Sequence, residues 1–136
     1  MPELPEVETT RRGLLSAVKG QQIVAVTVRR HDLRQPIPKT FAKTLTGTSI
    51  TNVRRRAKYL LIDLDSGHIL LSHLGMSGSF TVRKKAGYRP KTHDHVIIEL
   101  KNSKLIVFHD PRRFGVMDIM KKGEEATHLL LKNLGP

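Results

Sequence analysis

Hydrophobic residues recur along this chain with two different periods, one typical of helices and one typical of strands. Near the N-terminus the spacing is three or four residues, as on one face of a helix, and Lys19-Gly20 has the composition of a helix end. Pro5 suits the first position of this helix, and Glu6 suits its first turn. The apolar positions of this predicted helix are Leu4, Val7, Leu14, Leu15 and Val18.

Most of the remaining chain alternates apolar and polar residues with the period of two that predicts β-strands. Turn-like sequences at residues 65–67 and 101–103 link neighbouring strands at hairpin spacing. Further helices are predicted at Phe41–Leu45 and at residues 127–133, the latter stopped by Gly135-Pro136. The predicted strands cover residues 22–30, 49–56, 59–64, 68–74, 95–100, 105–109 and 116–120.

Antiparallel strands with a helix near each end predict an α+β fold, predominantly an antiparallel β-sandwich or flattened barrel. The 136 residues suffice for one domain with a hydrophobic core, and they are too few for two large ones. Two segments, residues 75–79 and 82–93, are predicted as loops. The second is long and basic, and a loop of that length in a small domain is usually functional or disordered.

Composition narrows the choice of partner more than the choice of fold. The formal net charge is +12 and the sequence pI is about 10.5, a balance that favours a polyanion, nucleic acid first and a membrane surface second. No run approaches ~20 apolar residues, and the acidic N-terminus does not resemble a signal peptide, so we expect a cytoplasmic protein. Cysteine is absent, which excludes disulfides, a thiol nucleophile and a cysteine-bound metal, and the histidines form no metal-binding motif.

The first residues offer a reactive amine. Pro2 is small enough for Met1 to be removed, which would leave a secondary amine flanked by Glu3 and Glu6. A terminal amine has a pKa of about 8, so roughly a tenth is unprotonated at pH 7, and the positive end of the predicted helix favours that neutral form. A proline amine that condenses with an aldehyde-like carbon gives a cationic iminium. The alternative interpretation is a proline-punctuated lead-in to a helix, which accounts for Pro5 and the acidic residues but leaves Pro2 unexplained.

The densest positive run is Arg54-Arg55-Arg56-Ala57-Lys58. In an extended strand, Arg54, Arg56 and Lys58 would share one face and could follow a phosphate backbone. The alternative is a solvated edge strand that uses charge to prevent aggregation. With the net charge of +12, phosphate contact is the favoured interpretation.

A second candidate site combines Arg112 and Arg113 with Phe114 in a turn-like segment. Enzymes that act on a single base take it out of the stack, and an apolar wedge plus an arginine for the widowed base are suitable tools. Met76, on a glycine-flanked loop, could be a second wedge. The structural alternatives are a core Phe114, a gap-filling Met76 and an arginine paired with Asp110.

Three histidines carry a less specific signal. His73, His93 and His95 lie at strand ends or in a β-rich core, where histidine usually makes structural hydrogen bonds. In a basic groove the alternative is a donor to phosphate. Both interpretations stay open on the sequence alone.

Five motifs, taken together and in order, resemble the N-terminal domain of bacterial formamidopyrimidine-DNA glycosylase. They are PELPEVETTRRGL at the N-terminus, RRRAKYLL, SHLGMSGS, THDHV and DPRRFG. The resemblance covers essentially all 136 residues. The form PELPE also distinguishes the chain from the related endonuclease VIII branch, which typically reads PEGPE.

The resemblance implies a DNA glycosylase that is also a lyase at abasic sites. Pro2 would attack C1′ of a damaged nucleotide, expel the base and form a Schiff base, with Glu3 as the acid/base group at the sugar and Glu6 supporting the site. β- and δ-elimination would then cut the strand without a cofactor or metal. The expected partner is double-stranded DNA containing an oxidised purine, either 8-oxoguanine opposite cytosine or a formamidopyrimidine.

The same resemblance assigns residues to two roles in DNA binding. One group contacts the DNA backbone or bases, and the other is inserted into the duplex, where Arg112 would face the orphaned cytosine. The DNA-binding group is Lys58, His73, His93, Arg112 and Arg113, and the inserted group is Met76, Arg112 and Phe114.

The chain also departs from the family pattern. Family members continue into a helix–two-turn–helix region and a four-cysteine zinc finger that help to clamp DNA. This chain has no cysteine and stops at Leu134-Gly135-Pro136, where the interdomain linker begins. We therefore expect residues 1–136 to be the N-terminal catalytic domain, folded as a monomer, without the structural zinc, and weakly active or inactive on its own.

Two other classes of protein compete with an enzyme. A non-catalytic basic nucleic-acid-binding β-barrel would need stacking platforms, but aromatic residues make up 4% of the chain and no RNP-like motif is present. A membrane-surface protein would need a basic amphipathic helix, which the pattern does not contain.

Overall fold

The computed structural model describes residues 2–128 and 130–131, which form two four-stranded antiparallel sheets and two helices. In chain order the elements are α1 (Leu4–Val18), β1 (Ile23–Val28), α2 (Phe41–Leu45), β2 (Ile50–Arg56), β3 (Tyr59–Leu64), β4 (His68–His73), β5 (Ser79–Lys84), β6 (Asp94–Leu100), β7 (Lys104–His109) and β8 (Val116–Lys121). Sheet one has the strand order β1-β6-β7-β5, and sheet two has the order β2-β3-β4-β8. The predicted α+β antiparallel sandwich is confirmed. No helix among these described residues is long and apolar enough to cross a membrane.

The core lies between the two sheets and includes the buried faces of both helices. Alternate residues of each strand contribute to it, as in β6, where Val96, Ile98 and Leu100 are buried. Phe41 and Leu45 of α2 are fully buried in the same core. Burying a side chain of this kind is worth roughly 1.5–3 kcal/mol, so the alternation that predicts the strands is also a main source of stability.

Helix α1 begins at Leu4 and packs one face on the core. Glu3 is its N-cap residue in an extended conformation, and Pro5 takes the second helical position instead of the predicted first. Leu4, predicted to lie in the buried stripe, is 44% exposed, so the packed face begins one turn later. The buried residues of the stripe are Val7, Leu14 and Val18.

Strand β5 replaces part of two segments predicted as loops, residues 75–79 and 82–93. It pairs with β7 along its whole length and is an edge strand of sheet one. Phe80 and Val82 pack against the core, while Lys84 is exposed. Flanking glycines and basic residues obscured this strand in the sequence, although charge on an edge strand is a common protection against aggregation.

The outer face of sheet two carries a second apolar cluster, which includes the last part of the chain that the structure describes. The helix predicted at residues 127–133 falls partly outside the described residues, and its described part forms turns, with the Leu131 N–H bonded to the His128 carbonyl at 3.0 Å. The predicted stop at Gly135-Pro136 also lies outside the described residues. The buried members of the cluster are Leu61, Ile69, Leu71, Met120 and Leu131.

An ion-pair cluster joins α1 to β2, an edge strand of sheet two. Glu8 accepts hydrogen bonds from Arg11 at 2.8 and 2.6 Å, from Arg12 at 3.0 Å and from Arg55 of β2 at 3.1 Å. Arg11 also donates to the Val53 carbonyl at 3.2 Å. The hydrogen bonds from Arg11 first, and then from Arg55 and Arg12, outweigh burial and hold the pKa of Glu8 well below its usual range.

Glu8→Gln should lower the stability of the fold at pH 7 and change it less in acid. The folded-state pKa of Glu8 is lowered below the unfolded value of about 4.3. Its stabilising effect is therefore present above that unfolded value and is lost as the pH falls toward the folded one. Urea denaturation at pH 7 and at about pH 3 measures the unfolding free energies of the wild type and of Glu8→Gln. The difference between the two proteins should be smaller at the lower pH.

An equal difference at both pH values would contradict this electrostatic account of Glu8. Arg12→Gln is the control. The Arg12 side chain is 75% exposed, so its ion pair with Glu8 should contribute little to the stability of the fold.

Candidate functional site

Three connecting segments leave sheet two at the same end of its strands. Tyr59, His73 and Val116 form one row across β3, β4 and β8, because Tyr59 pairs with His73 and His73 pairs with Val116. The chain enters β3 and β8 and leaves β4 at this row, so the adjoining segments lie side by side. They are the β2–β3 turn (residues 57–58), the glycine loop (residues 74–78) and the arginine loop (residues 110–115).

The buried carboxyl group of Asp110 joins the arginine loop to the glycine loop. Its Oδ1 accepts the Ser77 hydroxyl at 2.7 Å, and its Oδ2 accepts the Gly115 N–H at 2.8 Å. The same Ser77 Oγ accepts the Arg112 N–H at 3.0 Å. The alternative prediction of an arginine paired with Asp110 is therefore wrong, since both carboxyl oxygens bond to loop residues of other types.

Glycine is required where the two loops touch. Gly75 has a φ of +62°, and a Cβ there would lie 2.6 Å from the backbone carbonyl carbon of Phe114. A Cβ on Gly115 would lie 2.8 Å from Oδ2 of Asp110 and 2.9 Å from the carbonyl oxygen of His73. The loops are thus in backbone contact, and their relative position is fixed.

Three side chains predicted to enter DNA come together on these loops, and we call Met76, Arg112 and Phe114 the insertion group. Met76 and Phe114 are 46% and 43% exposed, and the guanidinium carbon of Arg112 lies 5.3 Å from the centroid of the Phe114 ring. With Arg34 and His73, Met76 and Phe114 line an open, mostly apolar cavity of about 320 Å³. The alternatives of a core Phe114 and a gap-filling Met76 are therefore wrong.

Arg34 is the member of this cavity that sequence reasoning missed. It lies between β1 and α2, in a segment whose prolines predict only a loop. The chain contains 24 lysines and arginines, and nothing in the sequence distinguishes Arg34 from the others. Only the fold brings it to His73.

His73 is held in one orientation and one neutral tautomer. The Gly75 N–H donates to its Nδ1 at 2.9 Å, so that nitrogen carries a lone pair and the proton of the neutral ring is on Nε2. The Tyr59 ring packs against it edge-on, with centroids 4.8 Å apart. Burial, and then the charges of Arg34 and Lys58, lower the pKa of His73, which keeps it a neutral Nε2–H donor at pH 7.

Lys58 connects this end of sheet two to the N-terminus. It lies in the β2–β3 turn, and its Nζ is 3.7 Å from Oε2 of Glu3. The Glu3 carbonyl begins α1 by accepting two backbone N–H groups at 3.0 Å each, one of them from Glu6, which is exposed in the first turn. Pro2 precedes Glu3 and is partly buried, whereas Met1, whose removal is predicted, lies outside the described residues.

The arginine run of β2 makes structural ion pairs. Arg54 bonds to Asp63 at 2.7 Å and to Glu125 at 2.8 Å, and Arg56 lies 3.8 Å from Glu125. Arg55 belongs to the cluster on α1 described above. Arg54 and Arg56 therefore already have carboxylate partners in Asp63 and Glu125, and their contact with a phosphate backbone stays a prediction. Of that predicted face, Arg56 pairs with Tyr59 at the end of β2 and Lys58 lies in the β2–β3 turn, so both are at this end of sheet two.

The three histidines singled out from the sequence separate into different roles. His95 is buried, its Nε2 lies 2.7 Å from the Asp110 carbonyl oxygen, and burial lowers its pKa, as for a structural histidine. His93 is exposed, with its ring centroid 6.0 Å from those of His95 and His109. The His93 carbonyl accepts the Asp110 N–H at 3.0 Å, which ties it to the arginine loop. His93 therefore stays a candidate for DNA contact.

Arg113 has a carboxylate partner on the surface. Its φ is +59°, and its Nη1 lies 3.6 Å from Oδ2 of Asp32, which also pairs with Arg30 at 2.8 Å. The side chains of Arg113 and Asp32 are both exposed, so their ion pair contributes little to stability. Arg113 could therefore exchange Asp32 for a phosphate group.

The four-cysteine zinc site of the resembled family has no counterpart in these residues. The sequence contains no cysteine. Among the residues that the structure describes, no group of three or more histidines and carboxylates is arranged to hold a metal ion.

With this geometry in hand, comparison with known proteins identifies the family. Residues 1–117 match the model of the family described as formamidopyrimidine-DNA glycosylase N-terminal domain. The chain belongs to this family. The resemblance stated from the five sequence motifs is thereby confirmed.

Curated glycosylases of this family align with the whole chain. The formamidopyrimidine-DNA glycosylase of Xanthomonas euvesicatoria is 55% identical over 136 residues, covering 100% of this chain and 49% of the relative. That of Afipia carboxidovorans is 50% identical over 148 residues, covering 100% of this chain and 50% of the relative. The chain thus spans about half the length of the curated relatives it matches.

Solved structures of a Lactococcus lactis formamidopyrimidine-DNA glycosylase have the same fold. Its complex with FAPY-dG-containing DNA matches with a TM-score of 0.87 and 31% identity, over 98% of this chain and 50% of the other. Its non-covalent complex with DNA containing an AP site matches with a TM-score of 0.88 and 31% identity, over 99% of this chain and 51% of the other.

Asp110→Asn should lower the free energy of unfolding by about 1–3 kcal/mol, because an amide nitrogen cannot accept and one buried donor then loses its acceptor. Ser77→Ala takes one donor from the buried carboxyl group of Asp110 and removes the acceptor of the Arg112 N–H, so it should also cost about 1–3 kcal/mol. Urea denaturation of both variants beside the wild type measures the two losses. An Asp110→Asn variant as stable as the wild type would contradict the role assigned to this carboxyl group.

Proposed function

We propose that this domain excises oxidised purines from duplex DNA and cleaves the strand at the resulting abasic site, as a base-excision repair glycosylase and lyase. One observation carries the proposal: Nζ of Lys58 lies 3.7 Å from Oε2 of Glu3, the residue after Pro2, at the same end of sheet two as the exposed insertion group. An enzyme that must open the duplex before it reacts needs a nucleophile and apolar wedges close together, and this end of sheet two offers candidates for both.

The first step is attack of the Pro2 amine on C1′ of the damaged nucleotide. The new N–C1′ bond replaces the glycosidic bond, whose electron pair leaves with the base and is neutralised there by a proton. Glu3 acts as the acid/base group at the sugar, donating a proton to the ring oxygen as the C1′–O4′ bond opens. The product is a cationic iminium between Pro2 and C1′. Glu6 supports the site from the first turn of α1.

The iminium then drives strand cleavage. It withdraws electrons from C1′, so C2′ loses a proton and the electron pair expels the 3′ phosphate, which is β-elimination. Loss of the C4′ proton expels the 5′ phosphate in the same way, which is δ-elimination. Water hydrolyses the iminium and regenerates the Pro2 amine. These steps balance with groups of the chain, the DNA and water, so the proposed reaction uses no cofactor.

The DNA would be held open by the insertion group. Met76 and Phe114 offer apolar surface to the gap left by the extruded nucleotide, and the Arg112 guanidinium donates to the acceptors of the orphaned cytosine. The neutral His73 ring offers its Nε2–H to a phosphate oxygen. The proposed backbone contacts are Lys58, His73, His93 and Arg113.

Charge and relatives support the choice of substrate. The net charge of +12 favours a polyanion over a neutral ligand. The Lactococcus lactis relative has been crystallised with FAPY-dG-containing DNA and with AP-site DNA, a lesion and an intermediate of the proposed reaction. A chromosomal substrate would locate the protein at the nucleoid of a bacterial cytoplasm, and we propose that it acts as a monomer and as the catalytic domain of its family.

Borohydride trapping on a duplex with an abasic site tests the proposed nucleophile. At low salt and high protein concentration, the reduced adduct should map by mass spectrometry to Pro2, because a terminal amine is far less basic than lysine. Pro2→Gly keeps a terminal amine but loses the preformed secondary amine, and it should excise the damaged base more slowly. Intact mass must first establish that Met1 has been removed.

Lys43→Ala, at an exposed lysine of α2, is the matched control and should trap like the wild type. An adduct confined to lysine side chains would contradict the role of Pro2. DNA binding without any adduct would favour the non-catalytic nucleic-acid-binding alternative.

A further inference from the structure

The connection between β5 and β6, residues 85–93, crosses sheet one instead of forming a hairpin, and we call it the basic connection. Both strands pair antiparallel with β7, so they run parallel to each other and the chain must return along the length of the sheet. At one end of β7 the Lys85 N–H bonds to the Ser103 carbonyl at 2.9 Å. At the other end Asp94 lies opposite His109.

A buried carboxyl group fixes the second end of the basic connection. Asp94 is 4% exposed, and its Oδ2 accepts the Tyr88 hydroxyl at 2.6 Å and the Lys91 N–H at 2.9 Å. Its Oδ1 lies 2.8 Å from Nδ1 of His109. Arg29 donates to the Lys91 carbonyl at 2.6 Å. Burial, and then the bond to Asp94, raise the pKa of Tyr88 to about 12, so its hydroxyl remains a donor at neutral pH.

This fixed end adjoins the arginine loop. His93, the last residue of the basic connection, accepts the Asp110 N–H at 3.0 Å, and His95 bonds to the Asp110 carbonyl at 2.7 Å. Asp110 is also the residue that holds the arginine loop to the glycine loop. The basic connection and the insertion group therefore share one end of the fold.

Two cations on this end have no carboxylate partner within the described part of the chain. Arg89 and Lys91 are exposed, whereas Lys85, at the opposite end, pairs with Glu99 at 3.0 Å. Both backbone polar groups of Lys91 are hydrogen-bonded, so its side chain extends from a fixed point. Ordering such a side chain on a ligand costs less conformational entropy than ordering a side chain of a mobile loop.

We propose that Arg89 and Lys91 form a further phosphate-binding surface for duplex DNA, beside the insertion group and separate from the DNA contacts assigned above. The inference rests on the proposed function, because a duplex opened at the arginine loop would have a flank close to the basic connection, which adjoins that loop. A merely solvated charged loop does not need to be anchored to a buried carboxyl group, whereas a phosphate contact benefits from the anchoring.

The test measures how binding to a fluorescent duplex with an abasic-site analogue depends on salt. Arg89→Ala/Lys91→Ala should reduce the slope of log affinity against log salt concentration by about 1.8, from about 0.9 for each phosphate contact. Lys101→Ala/Lys104→Ala is the charge-matched control at the opposite end of β6 and β7, and its slope should equal that of the wild type. Equal slopes for the two double variants would overturn the proposal.

Tyr88→Phe separates a fixed contact from general attraction by positive charge, because it removes one bond to Asp94 and no charge. It should weaken binding severalfold while thermal unfolding confirms a folded protein. Affinity and slope both equal to those of the wild type would overturn the proposal that Asp94 positions these cations.

Borohydride trapping in the same preparations distinguishes this inference from the proposed function. An adduct at Pro2, combined with an unchanged slope for Arg89→Ala/Lys91→Ala, overturns the phosphate surface alone. Absence of the Pro2 adduct in the wild type overturns the proposed chemistry, and the slopes still decide whether this surface binds DNA.

Discussion

The functional end of this domain depends on the buried carboxyl group of Asp110. A carboxyl group can be buried at low energetic cost when its oxygens accept hydrogen bonds, and here the donors are the Ser77 hydroxyl and the Gly115 N–H. Since these two donors belong to different loops, satisfying the carboxyl group also sets the position of one loop against the other. A single missing donor would cost about 1–3 kcal/mol, a large fraction of the stability of a small domain. The geometry of the insertion group follows from that constraint.

Fixed loops matter because opening a duplex is costly. Unstacking a base step requires a few kcal/mol, and a mobile wedge would add roughly 1–2 kcal/mol for each residue that must be ordered. Here the row of Tyr59, His73 and Val116 places three segments on rigid strands, and backbone contact at Gly75 locks two of them together. Most of the ordering entropy is therefore lost on folding, before DNA binds. The proposed insertion into DNA would therefore start from loops that are already ordered.

Short-range patterns in the sequence predict the structural features that depend on neighbouring residues, such as strands and exposed loops. Alternation predicts most strands because each carries its own apolar face, whereas β5 escaped because basic residues and glycines surround its short pattern. The exposure of Met76 and Phe114 could be predicted from their glycine-flanked or arginine-rich segments. The ion pair of Arg54 with Glu125 could not, since the partners are far apart in the chain. Arg34 reaches its cavity only through the fold.

The most direct test of this account is a double-mutant cycle of Met76→Ala and Phe114→Ala, measured as the affinity for a duplex with an abasic-site analogue. If Asp110 makes the two loops act as one unit, the coupling energy should be about 0.5–3 kcal/mol in the wild-type background. It should fall toward zero when the cycle is repeated with Asp110→Asn. Additive effects in the wild-type background, or an undiminished coupling with Asp110→Asn, would contradict the account.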